Sequence, residues 1–513
     1  MLKKLLFAII LILDFPYLFA QDALDNCSQL VKQNMETLAS DEYLGREATT
    51  EGGEMAATYI TQKLQEYNIK PFGEDNSYYQ YFDVNVSGLE KTSSMILLNG
   101  NDSLQTKLEF GKDFILLLIG ANSADIQLGE TEIVYVGYGI TAPEYNYDDY
   151  EGLDVKGKAV LMTLGEPYSE NDNFFNGKQT SQYENPFSKI SNANSKGAAA
   201  MVLFCSPEVL MMWDMLISQA ANKQVNLAGD ISKNQSFDFP PIIILNQEST
   251  KNLLEGENLN YEKISEIKNK GEIPSSFTLN KKMELDVQSF TDNDKCKNIL
   301  GIIEGNDPVL KNEYIVIGGH YDHVGVTNGQ VYNGADDNAS GTVAVMEIGR
   351  MLQESKSNKR SIIVALWDGE EKGLLGSTYF VNSVDYLNKI TASVNHDMVG
   401  RGSSDTLYVL GSDRASTEFH ELVNSVNDNT VKFYLNYFLN NPNNNFYNAS
   451  DHAPFAQKKI PVVFFNDYML SDLHKPSDDF DKINYEKICK TVQLTYQLAL
   501  EIANRESKFV IDK

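Results

Sequence analysis

Six side chains supply what metal-assisted hydrolysis needs. His320, Asp336, Glu371, Asp397 and His474 each fall at or just after the end of an apolar run, or in a loop that opens a helix. Two imidazoles and three carboxylates are the ligand set of a hydrolytic zinc pair, in which one carboxylate bridges two ions about 3.5–4 Å apart. Glu370 stands beside Glu371 in WDGEEKG. At a turn the two side chains diverge, so one can bind metal while the other faces an attacking water. A buried carboxylate beside that water is what a general base requires. An ordinary polar loop explains any one of these positions, but not all six in this placement.

The elements that must hold these residues precede each of them. Ile315, Val316 and Ile317 form a β-branched run that ends in Gly318 and Gly319, where His320 and Asp322 are presented. Asp336 and Asp337 then stand just before the helix that Ser340 and Gly341 open. From Lys297 onward strands and helices alternate: NILGIIEG, YIVIGGH, a helix through GTVAVMEIGRMLQE, SIIVALWDGEE, a helix over 374–387, ITASVNHDMVG, LYVLG, a helix over 417–426, IPVVFFND and a final helix over 485–504. The last carries Ile488, Val492, Tyr496, Ala499 and Ala503 at helical spacing. Buried β-branched strands alternating with amphipathic helices imply an α/β, three-layer architecture: a largely parallel, mixed sheet covered by helices on both faces. Such sheets bind ligands in the crevice outside the carboxyl ends of their strands.

The first half reads differently. Helices are expected over 24–44 and 53–67, joined by the loop YLGREATTEGG, in which Gly45, Gly52 and Gly53 signal turns and Arg46 reads as a solvated charge. Strands follow over 78–86 and 95–98. From about Thr131 to about residue 280 come short strands separated by Gly and Asp turns, then, in SKISNANSKGAAAMVLFC, a helix ending at Gly197 followed by a buried strand, and the stretch contains no histidine. A structureless loop of that length is rare in a compact domain. The expected division is therefore a catalytic domain in two parts, 21–90 and 285–513, interrupted by 91–284, a strand linker and an inserted β-rich domain with its core at about 130–280.

The chain has 513 residues, which suits two domains or one with a large insertion. With 43 Lys plus Arg against 71 Asp plus Glu, the formal charge of -28 argues against nucleic acid or an anionic membrane surface as a partner. Residues 1–20 carry Lys3 and Lys4, an apolar run, then Leu18, Phe19 and Ala20, which reads as a secretory signal peptide cleaved after Ala20. Asp14 interrupts the run, so no membrane anchor is expected after cleavage, and the expected location is secreted or periplasmic. Cys27, Cys205, Cys296 and Cys489 are too widely spaced for a zinc finger or a dense disulfide framework. One or two bridges, or buried unpaired thiols, are both compatible with that spacing.

GGHYDHVG, GADDNASG, DGEEKGLLGS, NHDMVG and SDLHKPSDDFDKIN, in that order, resemble the zinc-dependent aminopeptidase and glutamate carboxypeptidase family of secreted exopeptidases. The opening LASDEYLGRE and GGEMAATYITQKLQEYNIKPFG resemble that family's amino-terminal part, and VGYGI through YDDYEGLDVKGKAVL resembles the protease-associated domain that many members carry as an insert. The resemblance implies two Zn2+ per chain and a peptide or peptide-like substrate. Asp336 would bridge the ions, His320 and Asp397 would complete one, Glu371 and His474 the other, and Glu370 would be the base. Asp322 would stand behind the ligands and fix an imidazole tautomer, and the Asp336–Asp337 peptide would be cis. Tyr447 and His452, in FYNASDHAPF, match a family stretch near the substrate pocket. One departure stands out: many members have Tyr immediately before the final His ligand and Thr after it, where this chain has Leu473 and Lys475.

The remaining histidines have plainer readings. His323 is expected as scaffold near the metals, His396 should point to the face opposite Asp397, and His420 lies on a helix. An aminopeptidase is the leading expectation. A glutaminyl cyclase with a single zinc, and a carboxypeptidase or dipeptidase on the same fold, are the alternatives. A binding module that keeps only the fold needs lost ligands, and none is lost.

Overall fold

Apolar strands whose alternate residues are all buried build the sheet that carries the site. A computed structural model describes residues 26–99, 105–117, 125–168, 174–177, 179–213, 216–217, 223–229, 239–327, 329–440, 445–468 and 471–513. The segment read as a signal peptide lies outside the described residues. The chain divides into one compact unit ending at Val84 and resuming at Asp294, and a second unit from Asn85 to Asn293.

The sheet that carries the site contains strands β1 (Tyr79–Leu89), β2 (Ser289–Ile303), β3 (Tyr314–His320), β4 (Ser361–Trp367), β5 (Ile390–His396), β6 (Thr406–Leu410), β7 (Tyr434–Asn436) and β8 (Val462–Asn466), the first two running across the boundaries between the units. They lie in the order β1-β2-β4-β3-β5-β8-β6-β7. The centre is parallel: β3 pairs with β4 and β5, and β5 with β8. The flanks turn antiparallel, β2 against β4 and β6 against β8. Ile315, Ile317, Ile362, Val364, Ala392 and Val394 face one core, shared with a helix over 26–38, α1 (Glu51–Glu66), α2 (Gly341–Ser355), α4 (Thr417–Asn429) and α6 (Tyr485–Asn504). Val316, Ile363, Ala365 and Trp367 face the other, packed on α3 (Leu375–Ser383) and α5 (His452–Gln457). Strands buried on both sides explain why these runs are continuously apolar rather than alternating.

Several local expectations shift. The first helix stops at 38 and a short turn, Asp41–Arg46, follows where a single helix over 24–44 was expected. The helix after WDGEEKG ends at Ser383, before Val384 turns extended. Cys27 and Cys489 form a disulfide, with Cα atoms 6.0 Å apart, that ties the 26–38 helix to α6, whereas Cys205 and Cys296 are buried thiols.

The second unit is mixed α/β, and the helix expected before Gly197 is present as Pro186–Ser195. Its sheet runs Gln105–Glu109, Ser94–Leu98, Phe277–Val287, Ile126–Tyr135, Ala159–Met162, Ala200–Leu203, Ile242–Leu245, Phe114–Leu117. The helices Pro186–Ser195, Gln247–Leu254 and Tyr261–Lys270 belong to the same unit. No helix among the described residues is long and apolar enough to cross a membrane.

Candidate metal centre

The parallel strands β3, β4, β5 and β8 deliver their carboxyl ends to one place. His320 is the last residue of β3, in register with Trp367 at the end of β4. Glu370 and Glu371 follow β4 by one turn, and Asp397 follows β5. Two glycines allow the ends to close up: a Cβ on Gly319 would lie 2.5 Å from the His396 carbonyl, and one on Gly341 would lie 2.3 Å from the same oxygen. The turn Ala335–Ser340 drops Asp337 into this crevice. Asn338 fastens that turn, donating to the carbonyls of His320 and His396 and accepting from Gly341 and Met398.

The resulting geometry has two halves. On one side His320 Nε2 is 3.3 Å from Asp397 Oδ1 and 3.5 Å from Asp337 Oδ1. On the other, His474 Nε2 is 3.3 Å from Asp337 Oδ2 and 2.9 Å from Glu371 Oε2, while His323 Nδ1 is 2.8 Å from Glu371 Oε1. Ligands about 2.0–2.1 Å from one tetrahedral ion lie about 3.3–3.4 Å apart, so the longer spacings are those of atoms that share a cation. His320 Nε2 and Asp397 Oδ1 are buried with no hydrogen-bond partner, which points the same way. The two oxygens of Asp337 face the two halves separately.

That assignment corrects the sequence reading by one residue. Asp336 does not enter the crevice. Its Oδ1 accepts the Gly400 amide at 2.8 Å on the far side of the turn, and its own amide donates to Asp478. The cis peptide lies between Asp337 and Asn338, not between Asp336 and Asp337. The physical reason is the turn itself: Asp337 and Asn338 leave helical geometry, so the side chain aimed at the strand ends is the second aspartate.

The other sequence candidates sort by contact. Asp322 does support the site, and chiefly through the chain: its two carboxylate oxygens accept the amides of Glu370 and Glu371, at 3.1 and 3.3 Å, while its backbone carbonyl meets His320 Nδ1 at 3.1 Å. Glu370 Oε2 stands 4.0 Å from His320 Nε2. His396 turns to the opposite face, with Nε2 2.8 Å from the Thr495 hydroxyl. His452 is fully buried, stacked on Phe464 at 4.5 Å, with Tyr447 edge-on at 5.7 Å. His420 bonds to Ser412 and Asn424, away from the centre.

Two supports escaped the sequence reading. Arg46 is not solvated but 1 % exposed, and it donates to the carbonyls of Leu38, Tyr321, Asn333 and Gly334. It thereby pins both ends of the loop between β3 and the Asp336–Asp337 turn, even though burial lowers its pKa to about 10. Asp478, inside the motif read for His474, accepts the amides of Asp336 and Asp337. Only the LHKPSDD spacing hinted at it.

The electrostatics follow from burying so many acids together. Burial, with Glu371, Asp397 and Asp451 adding to it and His320 opposing it, holds the Glu370 carboxyl well above the usual range. Burial works the same way on Glu371, but the bonds from His323 and His474 overcome it and keep that carboxyl well below. Burial pulls the His474 imidazole down, and its bonds to Asp337 and Glu371 more than reverse this, to about 11. Protons and divalent cations compete for these atoms, so cation binding here must weaken as pH falls.

Residues 298–499 match the model described as Peptidase family M28. That stretch holds His320, Asp337, Glu370, Glu371, Asp397 and His474, whereas Arg46 lies outside it. The chain is 25% identical over 384 residues to aminopeptidase YwaD of Bacillus subtilis (strain 168), spanning 72% of this chain and 69% of that protein. It is 28% identical over 188 residues to leucine aminopeptidase 2 of Trichophyton rubrum, spanning 35% of each. Among solved structures, the chain shares its fold with a zinc aminopeptidase from Bacillus subtilis, BSAP (TM-score 0.56, 19% identity, 94% of this chain and 98% of that one), and with an aminopeptidase from Aneurinibacillus sp. strain AM-1 (TM-score 0.55, 18% identity, 95% and 96%).

Proposed function

We propose that the chain is a secreted di-zinc aminopeptidase, removing residues from the amino end of peptides, with Glu370 as its general base. The observation that carries this reading is Asp337, whose two oxygens face two separate groups of donors: His320 and Asp397 on one side, Glu371 and His474 on the other. Imidazole and carboxylate donors at these spacings suit zinc. Zinc held there supplies a Lewis acid that acidifies water and polarises the scissile carbonyl.

The chain's own residues then divide the work. Glu370 takes the proton of the attacking water and returns it to the leaving amine, a role that fits a carboxyl whose proton affinity burial raises. Asp322 holds the Glu370 and Glu371 amides, which fixes the direction in which both side chains leave the turn. The acids of the crevice favour a substrate's free α-ammonium group. The names of the relatives support an amino-end cleavage in particular.

Two further parts of the reading have their own support. The Cys27–Cys489 bridge suits an oxidising compartment outside the cytoplasm, in keeping with the leader-like residues 1–20. The unit from Asn85 to Asn293 folds around a sheet of its own, as a protease-associated insert requires.

The test is hydrolysis of aminoacyl anilides, amino-blocked peptides and amino-terminal glutaminyl peptides, with zinc measured on the same sample. Two zincs per chain with cleavage limited to free amino ends supports the proposal. A single zinc with cyclisation of glutamine makes it a cyclase, and cleavage of amino-blocked peptides from their carboxyl ends makes it a carboxypeptidase. Glu370→Gln should retain zinc and lose about 10²–10⁴-fold in kcat.

A further inference from the structure

The mechanism leaves one buried imidazole without work. His323 is fully buried, its amide donates to the Arg46 carbonyl, and its ring lies so close to Gly334 that a Cβ there would meet His323 Cδ2 at 2.4 Å. Its Nδ1 reaches Glu371 Oε1 at 2.8 Å. It stands within range of a cation held by Glu371 and Asp337, so it is either a ligand or something that acts on one.

Both histidines lie at hydrogen-bond distance from Glu371, His323 at 2.8 Å and His474 at 2.9 Å, so two other features separate the roles. The two histidines take opposite oxygens of Glu371, His323 on Oε1 and His474 on Oε2. The shared carboxylate of Asp337 also inclines to His474, at 3.3 Å from Oδ2 against 3.7 Å for His323.

We propose that His323 is a positioning residue: it donates its Nδ1–H to Glu371 Oε1 and so reserves Oε2 for the ion that Glu371 shares with His474 and Asp337. The inference rests on the two-ion reading above. A carboxylate left to itself can turn and offer both oxygens, filling a place that substrate or water needs. With Oε1 engaged, Glu371 offers one. The arrangement also divides rigidity unequally. His474 has a side chain 50% exposed, whereas His323 is enclosed, so the fixed partner of Glu371 is the one that does not bind the ion.

The test uses the full chain and reads ion affinity rather than turnover. Competition with a chelator gives the two zinc affinities separately, and cobalt(II) substituted for zinc reports the ligand set through its visible absorption. Three variants distinguish the roles: His323→Asn places an amide donor near the Nδ1 position, His323→Gln places one near Nε2, and His323→Leu has none. We expect Leu and Gln to weaken one ion by about 10–100-fold and leave the other unchanged, and Asn to restore the affinity with an unaltered cobalt spectrum. Leu binding both ions as tightly as the wild type overturns the inference. So does an Asn variant that loses the ion and changes the spectrum, since His323 would then be a ligand. A wild-type chain that binds no second ion instead sinks the two-ion reading on which the inference stands. Should the Leu variant fail to fold, the contrast between Asn and Gln decides.

Discussion

The carboxylates of Asp336 and Asp337 are neighbours in sequence and occupy opposite environments. Burial, Asp467 and Asp478 hold the Asp336 carboxyl well above the usual range, and it accepts the Gly400 amide. A protonated carboxyl in that place is close in shape and bonding to an amide, so Asp336→Asn should leave zinc content at the wild-type value. Asp337→Asn removes the one side chain that faces both halves of the centre and should release at least one ion; metal analysis after desalting checks both. His396 and His452 are neutral for the same reason that Asp336 is: burial lowers each imidazole to about 4. Their folded pKa values lie below the unfolded value of about 6.5, so the stability each neutral ring contributes is complete above about pH 6.5 and is lost as pH falls through 4. Between pH 7 and pH 5 each should cost about 2 kcal/mol. Urea midpoints across that range, compared with His396→Gln, should show the slope of the variant reduced.

At the scale of elements, the strands hold the ligands and the loops are held by single buried groups. Arg46 binds four carbonyls, Tyr321, Asn333 and Gly334 on the two arms of the loop after β3 and Leu38 at the end of the first helix, so Arg46→Met would take a buried donor from each of them. We expect a loss of about 3 kcal/mol or more in unfolding free energy together with weaker zinc retention, read by urea titration and metal analysis on the same preparation. The loop that presents His474 has a comparable mount: Arg401 and Lys482 both bond to Asp472, and Asp478 in the same loop holds the Asp336 and Asp337 amides. This contrast explains what could be read from the sequence. Strand ends at His320, Glu371 and Asp397 were legible because continuous apolar runs stop at them. The choice between Asp336 and Asp337 was not, because a turn that departs from helical geometry has no periodicity to say which way each side chain goes. Arg46 was invisible for another reason: a cation bonded to main-chain carbonyls contacts groups that every residue possesses, so no partner side chain marks it.

For the whole molecule, the division into a sheet-bearing metal unit and an interrupting second unit was visible as a change of texture, with the observed boundaries at Val84 and Asp294 rather than at 90 and 285. The Cys27–Cys489 bridge was one of two open readings, because a pairing across the fold leaves no local spacing. Replacing Cys27 with Ser should lower stability by about 2–5 kcal/mol, and wild type in reductant should unfold at the same denaturant midpoint as the variant.

That bridge joins positions 462 residues apart. Between them the backbone is a covalent ring, and the entire second unit lies on it. A ring cut once is still one piece. A protease that nicks any loop between Cys27 and Cys489 therefore severs the peptide without parting the molecule, and the nicked chain keeps its metal unit tethered on both sides of the wound. Limited digestion that cuts once should give a single band without reductant and two fragments with it.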